Sequence, residues 1–363
     1  MIYIAYFVFT FSILQFLIAI VNMLFNQRYI SSGSKFSGLV SVLIPVRNEE
    51  KNIGNLLNDL IHQDYINIEI LVFNDLSTDE TANIVLNYSK LDSRIKLINS
   101  DGLPFGWLGK NYACHTLSEN ANGEYLLFLD ADVHVGSGII IESIGQSRKF
   151  NLGLLSIFPM QIIKSFGERI TVPNMNYILL SLLPLIFVRT TKFKSLAAAN
   201  GQFMLFNASG YKHTLPHEKM KASRVEDIEI ARYYKQKFIK VACLAGNKTI
   251  QCKMYNGFFE AVNGFSKNVI TFFGNYFVVA ILFLIITSFG FIPIWYSFPF
   301  NICVIYLLIL LLTRITISIV SKQNILLNLV LFIPQQISFG MFIYKALHNK
   351  ISKNYQWKGR SIS

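Results

Sequence analysis

The sequence predicts an α/β fold: a mostly parallel sheet with helices on both faces, joined to α-helical transmembrane segments. Short apolar runs alternate with amphipathic helical patterns through the middle of the chain, which is the order of a parallel sheet with crossover helices. Long uncharged apolar runs lie at both ends. Of the 363 residues, 52% are hydrophobic and only 15% are charged, a balance too apolar for an ordinary soluble protein.

The first predicted element is the uncharged run from Tyr3 to Phe25. At about 1.5 Å per residue, this run is long enough to span a bilayer. A cleaved signal peptide is the alternative, but no basic segment precedes the run and no small-residue cleavage site follows it. We therefore expect a retained transmembrane helix over residues 1–27. Positive charge begins just after it, at Arg28, which predicts that the following domain is cytoplasmic.

Strands and helices alternate in the domain that we predict for residues 28–268. We expect Asn48 to cap the first helix of this domain, and Ser77 with Glu80 to form a capping box for the second. Ligands of such sheets bind beyond the carboxyl ends of the strands. The predicted strands are Leu39–Ile44, Ile68–Phe73, Ile95–Ile98 and Glu124–Leu129.

Polar side chains follow three of these strands. Asn48 and Glu49 come after the first, Asp75 after the second, and Asp130 and Asp132 after the fourth. Two carboxylates at the end of a buried strand indicate that a cation binds between them. Their oxygens suit Mg²⁺ or Mn²⁺, shared with the phosphates of a substrate. Polar turns are the alternative, but three clusters at one sheet edge favour a single site.

Three apolar segments form a predicted transmembrane and interfacial region over 269–348, followed by a basic tail, 349–363. The second segment carries Arg314, which we expect to snorkel towards the nearer surface. Four crossings would place the tail outside, against the positive-inside rule. The third segment is therefore a candidate re-entrant or interfacial helix, and both three and four crossings stay open. The segments are Asn275–Pro293, Phe300–Val320 and Leu326–Tyr344.

A shorter apolar run, Tyr177–Val188, lies inside the predicted domain. Its twelve residues cannot span a bilayer. One interpretation is a buried core helix interrupted at Pro184. The other is an interfacial segment that dips into the headgroup region and admits a lipid.

The net charge of +12 predicts attraction to an anionic membrane surface and an anionic donor. Nucleic acid is not an expected partner, because the sequence has no recognition-helix pattern and no zinc-finger spacing. Its four cysteines form no C-x-x-C pair, so neither a zinc site nor a redox motif is indicated. We expect a multi-pass protein of the cell membrane.

Four motifs follow one another through the middle of the chain. They are Ile44–Glu50 (IPVRNEE), Asn74–Asp79 (NDLSTD), Asp130–Asp132 (DAD) and Glu226–Asp227. In this order they resemble family 2 glycosyltransferases of the GT-A fold, over roughly Leu39 to Asn268. The segment Ala197–Phe206 resembles the branch that glycosylates membrane lipids, which includes hopanoid-associated and carotenoid (diaponeurosporenoate) glycosyltransferases. The closing Trp357–Arg360 is similar to the carotenoid enzymes.

The resemblance implies a site for a UDP-sugar. Asp75 would accept a hydrogen bond from the uracil ring, and Lys110 would be a second cation for the diphosphate. Asp130 would contact the ribose or a metal-bound water, and Asp132 would bind Mg²⁺ or Mn²⁺ directly. The base and ribose would be held by the loop residues Pro45, Arg47, Asn48 and Glu49.

The resemblance also implies a catalytic base. Asp227 would take the acceptor proton while the acceptor attacks the anomeric carbon from the face opposite UDP, which inverts configuration. Two acids in the first turn of a helix are the structural alternative. The region around the donor sugar and the acceptor would include Asn200, Gly201, Gln202 and Glu226.

Processive synthases of this family carry a Q-x-x-R-W motif after the base, and the comparable stretch here reads Gln251–Tyr255, QCKMY. This predicts transfer of a single sugar, with glucose expected, to a membrane lipid. A carotenoid or terpenoid acid is one acceptor; polyprenyl phosphate and a glycerolipid are others. A polysaccharide synthase is the enzyme alternative, and a catalytically inactive membrane scaffold of the same fold is the non-enzyme alternative.

Overall fold

The computed structural model describes residues 1–25 and 36–352, and the backbone of 356–357 and 360–361. Arg28, where positive charge begins, and residues 353–355, 358–359 and 362–363 of the predicted basic tail lie outside the described residues. Internal contacts divide the chain into two compact units. The sheet unit comprises Gln27–Met160 and Leu185–Cys252, and the helical unit comprises Met1–Asn26, Gln161–Pro184 and Lys253–Ser363. The predicted domain 28–268 therefore differs from the sheet unit, because residues 161–184 and 253–268 group with the helices.

Seven strands form one mixed sheet in the order β3-β2-β1-β4-β8-β6-β9. Pairing is parallel throughout except around β8, which is antiparallel to β4 and β6. The predicted, mostly parallel sheet is confirmed. The strands are β1 (Val40–Val46), β2 (Ile68–Asn74), β3 (Ile95–Asn99), β4 (Tyr125–Leu129), β5 (Val133–Val135), β6 (Leu154–Phe158), β7 (Met160–Gln161), β8 (Phe203–Asn207), β9 (Val241–Ala245), β10 (Ile250–Cys252), β11 (Gln356–Trp357) and β12 (Arg360–Ser361).

The helices lie in both units. Those of the sheet unit are α2 to α5 and α8 to α11, and the others belong to the helical unit. They are α1 (Ile2–Leu24), α2 (Ile53–Ile61), α3 (Thr81–Leu91), α4 (Gly109–Glu119), α5 (Ile139–Phe150), α6 (Phe166–Thr171), α7 (Pro173–Leu182), α8 (Leu185–Thr190), α9 (Ala208–Thr214), α10 (Pro216–Lys219), α11 (Glu226–Gln236), α12 (Phe258–Asn268), α13 (Phe277–Phe289), α14 (Phe291–Ser297), α15 (Phe300–Val320), α16 (Ile325–Val330) and α17 (Phe332–Ser352).

The core of the sheet unit lies on both faces of the central strands. Strands β2 and β4 are buried along their whole length, which is why both are mainly apolar rather than alternating, with Glu69 and Asn74 as the polar residues of β2. Helix α2 buries Ile53, Leu56, Leu57 and Leu60, the spacing that puts apolar side chains on one helix face. Burying each such side chain contributes about 1.5–3 kcal/mol.

The two predicted helix caps do not form. Helix α2 begins at Ile53, and Asn48 lies before it with a left-handed φ of 52°. The amide oxygen of Asn48 accepts a bond from the backbone N–H of Thr78 at 2.9 Å, and its own N–H donates to the Ser77 hydroxyl at 3.0 Å. Glu80 precedes α3 without a side-chain capping bond. Asn48 and Ser77 bond to each other between the loops after β1 and β2, and Glu80 accepts a bond from the side chain of Asn83 within α3, so these groups do not act as the predicted caps.

Helices α1 and α15 are each long and apolar enough to cross a membrane. A third crossing arises among the described residues if the bent pair Phe258–Phe273 and Phe277–Phe289, with a bend of 98°, counts as one span. The third predicted segment is divided into α16 and α17, neither of which passes the same length and composition test. The run Tyr177–Val188 is also divided, because its helix ends at Leu182 and α8 belongs to the sheet unit.

The expectation that Arg314 snorkels towards a surface is wrong. Its side chain does not snorkel to a surface: the residue is 8% exposed, and its guanidinium lies against the rings of Tyr177 and Phe332. The helices around it offer aromatic rings and amide oxygens as partners, which hold the side chain inside the helical unit.

Candidate active site

The predicted site residues converge on one edge of the sheet. Strands β1, β2 and β4 are parallel, so their carboxyl ends lie side by side. Because β8 is antiparallel to β4, with Phe203 opposite Leu129, the residues just before β8 arrive at the same edge. The backbone N–H of Asp130 donates to the carbonyl of Gln202 at 3.3 Å. The topology thus joins residues that are far apart in sequence.

The loops after β1 and β2 are fastened to each other. Arg47 donates from Nη1 to the carbonyl oxygens of Asp75 at 2.6 Å and Leu76 at 3.3 Å. Asp75 is 2% exposed, and its N–H donates to the carbonyl of Val46 at 2.9 Å. The N–H of Glu49 donates to the Thr81 hydroxyl at 2.8 Å. The predicted base-binding residues therefore form one cross-linked surface, with Pro45 within β1 beside them.

Lys110, in the first turn of α4, is the cation of the site. Its Nζ lies 2.8 Å from Oδ1 of Asp130 and 3.4 Å from Oε1 of Glu226. Burial alone would lower the pKa of Lys110, but the charges of Asp130 and Glu226 raise it well above its ordinary value. Lys110 is therefore held in its charged form, between two of the predicted acids.

Asp227, in the first turn of α11, accepts two backbone hydrogen bonds. Its Oδ2 accepts from the N–H of Gly201 at 3.0 Å, and its Oδ1 accepts from the N–H of Ile228 at 2.8 Å. Burial raises the pKa of Asp227, while these two bonds and the charge of Lys110 oppose the rise. The bonds fix the direction of the carboxylate, as expected for a group that must meet a reacting atom.

Gly201 fits the crowded space between the two acids and the lysine. A Cβ atom at this position would lie 2.9 Å from Nζ of Lys110, 3.5 Å from Oε1 of Glu226 and 3.7 Å from Oδ2 of Asp227. Any side chain at position 201 would therefore displace the ammonium group. The backbone of the neighbouring Asn200 is held by Ser156. The N–H of Asn200 donates to the Ser156 hydroxyl, and that hydroxyl donates to the carbonyl oxygen of Asn200.

Asp132 lies in the turn after β4, against β10. The thiol of Cys252 hydrogen-bonds to its carboxylate, and the side-chain amide of Gln202 donates to that sulfur at 2.8 Å. The Gln202 amide nitrogen therefore contacts Cys252. Sequence reasoning assigned no role to Cys252. Cys252 lies beside Asp132 because β10 pairs with β5, where Cys252 is opposite Val133. No local sequence signal indicates this pairing.

The acids of this edge outnumber its cations. Burial and the charge of Asp130 raise the pKa of Asp132 to about 7. Burial likewise raises the pKa of Glu226 to about 7; the charge of Lys110 opposes that rise and the charge of Asp227 adds to it. Raised pKa values of this kind mark carboxylates that lack enough positive charge nearby.

The donor set fits a divalent cation. Oδ1 of Asp132 is buried and has no hydrogen-bond partner among the described residues, as expected for an oxygen reserved for a metal. Carboxylate oxygens are the ligands that Mg²⁺ and Mn²⁺ prefer. Within the described part of the chain, no group of three or more His, Cys, Asp or Glu residues is arranged to hold a metal. Asp132 and Asp130 would therefore need oxygens from a bound substrate to complete the coordination.

Comparison with known proteins shows which sequences and folds this chain resembles. Residues 41–137 match the sequence model of the family described as glycosyl transferase family 2. Residues 41–137 thus have the sequence of a family 2 glycosyltransferase domain. The matched residues include the loops after β1 and β2, Lys110, and both aspartates of the 130–132 motif.

Two curated relatives of this chain carry the name 4,4'-diaponeurosporenoate glycosyltransferase. The one from Staphylococcus haemolyticus is 27% identical over 261 residues, which cover 68% of this chain and 66% of the relative. The one from Staphylococcus aureus is 28% identical over 262 residues, or 69% of this chain and 66% of the relative. The chain thus spans just under two thirds of the length of the curated relatives that it matches.

The fold is that of GT-A glycosyltransferases. A mannosyltransferase from Pyrobaculum calidifontis, solved in complex with GDP-Man and Mn²⁺, superposes with a TM-score of 0.56 at 13% sequence identity. The superposition covers 96% of this chain and 99% of that structure. At this identity the likeness concerns the fold, and it confirms the predicted fold class.

Proposed function

We propose that this glycosyltransferase uses a divalent metal to transfer a single sugar, glucose by expectation, from a UDP-sugar to a membrane lipid. Transfer inverts the anomeric configuration. The acceptor class that we favour is a carotenoid or other terpenoid acid. The catalytic domain works on the cytoplasmic side of the cell membrane, and the apolar helices α1 and α15 anchor it there.

One observation carries the proposal: an acid-rich sheet edge around a single lysine. A bound nucleotide diphosphate is itself anionic, so it would be repelled by Asp130, Asp132, Glu226 and Asp227 unless a cation were shared between them. The unpartnered Oδ1 of Asp132 supports such sharing. A divalent cation held by Asp132 and Asp130 would balance the charge that develops on UDP as it departs.

The other residues of the sheet edge would make the remaining contacts with the UDP-sugar. Asp75 and the loop of Pro45, Arg47, Asn48 and Glu49 would hold the base and ribose, with the loop already fixed by its bonds to the next one. Lys110 stays charged beside Asp130, so it would attract the diphosphate. Because these groups are positioned before the donor binds, little ordering would be needed on binding.

Asp227 would act on the acceptor. Its carboxylate, oriented by the N–H groups of Gly201 and Ile228, would accept the proton of an attacking hydroxyl. If the acceptor is a carboxylic acid, it is already ionised near neutral pH. Asp227 would then orient the acceptor rather than deprotonate it, and Asn200 and Glu226 would line the region around the sugar.

Two observations support a lipid acceptor. The curated relatives are named for diaponeurosporenoate, a carotenoid acid, and match about two thirds of this chain. The chain also carries apolar helices long enough to cross a membrane. The absence of the Q-x-x-R-W motif supports transfer of one sugar rather than synthesis of a polymer.

The test is incubation of membranes containing the protein with radiolabelled UDP-glucose, Mn²⁺ and lipid extracts, followed by chromatography of the organic phase. We expect label in a single lipid product, which disappears when EDTA is added and returns with excess Mn²⁺ or Mg²⁺. A terpenoid acid, polyprenyl phosphate and a glycerolipid, supplied separately, identify the acceptor. Label that stays aqueous or enters a polymer would reject lipid monoglycosylation.

The scaffold alternative makes a different prediction. A protein that kept the fold but lost the chemistry would show no metal-dependent binding of UDP. Equilibrium binding of labelled UDP to the purified full chain, with and without Mn²⁺, therefore separates an inactive protein from an active one supplied with the wrong lipid.

A further inference from the structure

The helical unit contains almost no acidic side chains. Its carboxylates are Glu168 and Glu260, and the sequence from Ala261 to Ser363 contains no Asp or Glu. Glu168 accepts bonds from the backbone N–H groups of Lys164, Ser165 and Gly257, and Glu260 accepts one from Asn256. Both acids are thus engaged near the ends of short helices.

Arg314 is the buried cation of this acid-poor unit. It lies six residues before the end of α15, which is about 9 Å along the helix at 1.5 Å per residue. Its Nη1 donates to Oε1 of Gln335 at 2.8 Å and reaches the carbonyl of Asn328 at 3.5 Å. Among the described residues, no carboxylate forms an ion pair with Arg314, and its Nη2 is buried without a hydrogen-bond partner.

The neighbours of Arg314 are arranged as a partial ligand shell for a cation. The guanidinium carbon lies 4.6 Å from the centre of the Tyr177 ring and 4.2 Å from that of the Phe332 ring, within cation–π distance. Gln335 is itself fixed by bonds from its amide nitrogen to Asn328 and to the carbonyl of Arg169. The shell offers rings and neutral oxygens. It supplies no negative charge for the guanidinium and no hydrogen-bond acceptor for Nη2 among the described residues.

A buried charge without a counter-charge is strongly disfavoured, and charged residues within apolar helices usually mark a binding function. Planar guanidinium groups bind phosphate and carboxylate oxygens with paired N–H donors. In a membrane, phosphate and carboxylate groups are carried by acidic lipids. The depth of Arg314, about 9 Å from a helix end, suits a lipid headgroup rather than the middle of the bilayer.

We propose that Arg314 binds the oxyanion of an acidic membrane lipid, a phosphate or a carboxylate, through Nη2. The Phe332 ring covers the guanidinium and begins α17, just after the break that follows α16. Phe332 is half-buried, and its ring would have to turn aside for the headgroup to reach Nη2. The binding itself needs no nucleotide sugar, so this inference stands apart from the proposed transfer.

The test measures lipid-dependent stability of the purified full chain in bilayer nanodiscs. Thermal unfolding is followed as phosphatidylglycerol replaces phosphatidylcholine, in the wild type and in Arg314→Met, Arg314→Lys and Lys322→Asn. Lys322→Asn is the matched control, since it removes an exposed positive charge just beyond the same helix and asparagine tolerates its left-handed φ of 56°.

We expect the acidic lipid to raise the unfolding temperature of the wild type and of Lys322→Asn. Arg314→Met should be no less stable than the wild type in phosphatidylcholine, because an apolar side chain replaces an unpaired buried charge. Its apparent affinity for the acidic lipid should fall about tenfold to a hundredfold, the range that charge-assisted hydrogen bonds contribute. Arg314→Lys should keep part of the effect.

Three further ligands distinguish the sources of the oxyanion. A terpenoid carboxylic acid, a fatty acid and inorganic phosphate are each added to phosphatidylcholine nanodiscs. Stabilisation by either carboxylic acid or by phosphatidylglycerol, lost in Arg314→Met, supports a lipid site and identifies its headgroup. Stabilisation by inorganic phosphate alone would overturn the lipid assignment.

Three other results would overturn the proposal. If Arg314→Met responds to acidic lipid as the wild type does, Arg314 is not the site. If Lys322→Asn loses the response to the same extent, the effect is general surface attraction. An Arg314→Met protein that is destabilised equally in every lipid would show that Arg314 only holds the helices together, and native mass spectrometry of retained lipid on Arg314→Lys checks that result independently.

Discussion

The acidic edge of the sheet unit and the surroundings of Arg314 in the helical unit have opposite local imbalances of charge. At the sheet edge, four carboxylates surround one lysine, and the pKa values of Asp132 and Glu226 are raised to about 7 by burial and crowding. In the helical unit, the buried Arg314 has aromatic and amide neighbours, and no carboxylate pairs with it among the residues that the structure describes. Each of these two sites therefore lacks the charge that its proposed ligand would supply. The ligand is a divalent cation at the sheet edge and a lipid oxyanion at Arg314.

In both places, buried charge works against folding. Folding alone would favour paired or absent charges, because an unpaired buried ion is destabilising. Both imbalances involve buried charged side chains, since Glu226 at the sheet edge and Arg314 in the helical unit are each 8% exposed. We infer that they are maintained by what binds there rather than by what they contribute to the fold.

Removing one metal-binding acid should have the largest effect. We expect Asp132→Asn to reduce the rate of sugar transfer by about 10³-fold, because the cation at the leaving group loses a direct ligand. Initial rates and Mn²⁺ binding by electron paramagnetic resonance would be measured together. The matched control, Asp64→Asn, changes an exposed acid of the same unit and should leave both unchanged. Full activity in Asp132→Asn would remove the basis of the proposed site.

Asp227→Asn separates the two classes of acceptor. With an alcohol acceptor we expect a loss of about 10²-fold, since a general base contributes at least this much. With a carboxylic acid acceptor the loss should be under about tenfold, because that acceptor is already ionised. Glu229→Gln, which removes another acid from the first turn of α11, is the control.

The pH dependence sharpens the same test. The pKa of Asp227 is raised by burial, so its carboxyl keeps a proton to a higher pH than an ordinary aspartate does. If Asp227 is the base, activity should fall as the pH falls through that raised value, and the Asn variant should lose this acidic limb. An unchanged limb in Asp227→Asn would assign the titration to another group.

Cys252 should affect the metal rather than the fold. Cys252→Ala removes the thiol that orients Asp132, and loss of such supporting bonds lowers metal affinity by about tenfold or somewhat more. Cys252→Ser should retain most of the affinity, because its hydroxyl can donate the same bond. Cys243→Ala, at another buried cysteine of the sheet, controls for packing. Equal Mn²⁺ affinity in all four proteins would show that Cys252 only fills space.

Gly201→Ala should give the smallest loss, about three- to tenfold in transfer rate. The new Cβ displaces the end of the flexible Lys110 side chain, so the thermal stability should hardly change while the diphosphate contact weakens. Gly210→Ala is the matched control, since its nearest neighbour would be 3.7 Å away. A loss of stability as large as the loss of rate would instead indicate a backbone shift.

Much of the sheet edge was predictable because it depends on local patterns. The apolar runs at β1 to β4 and the acids that follow them could be read directly, and α15 spans the predicted Phe300–Val320. The predicted caps at Asn48 and Ser77 failed because local spacing cannot show that two loops bond to each other. Cys252 was missed because its contact with Asp132 requires the pairing of two distant strands.

The helical unit was less predictable. Hydropathy identified its apolar segments but not their breaks, since the bend between α12 and α13 and the division of α16 from α17 depend on packing. Arg314 shows the limit most clearly. Its position within an apolar run predicted snorkelling, whereas the rings of Tyr177 and Phe332 and the amide of Gln335, all remote in sequence, keep it inside.

The lack of acidic residues after Glu260 has a consequence for how the protein responds to its surroundings. That part of the chain contains no Asp or Glu and a single His, and carboxyl and imidazole groups are the side chains whose charge is most sensitive to mild acidification. Its attraction to a negatively charged membrane should then be nearly constant with acidity. Salt would be the effective control, because ions screen exposed charges over about 8 Å at physiological strength.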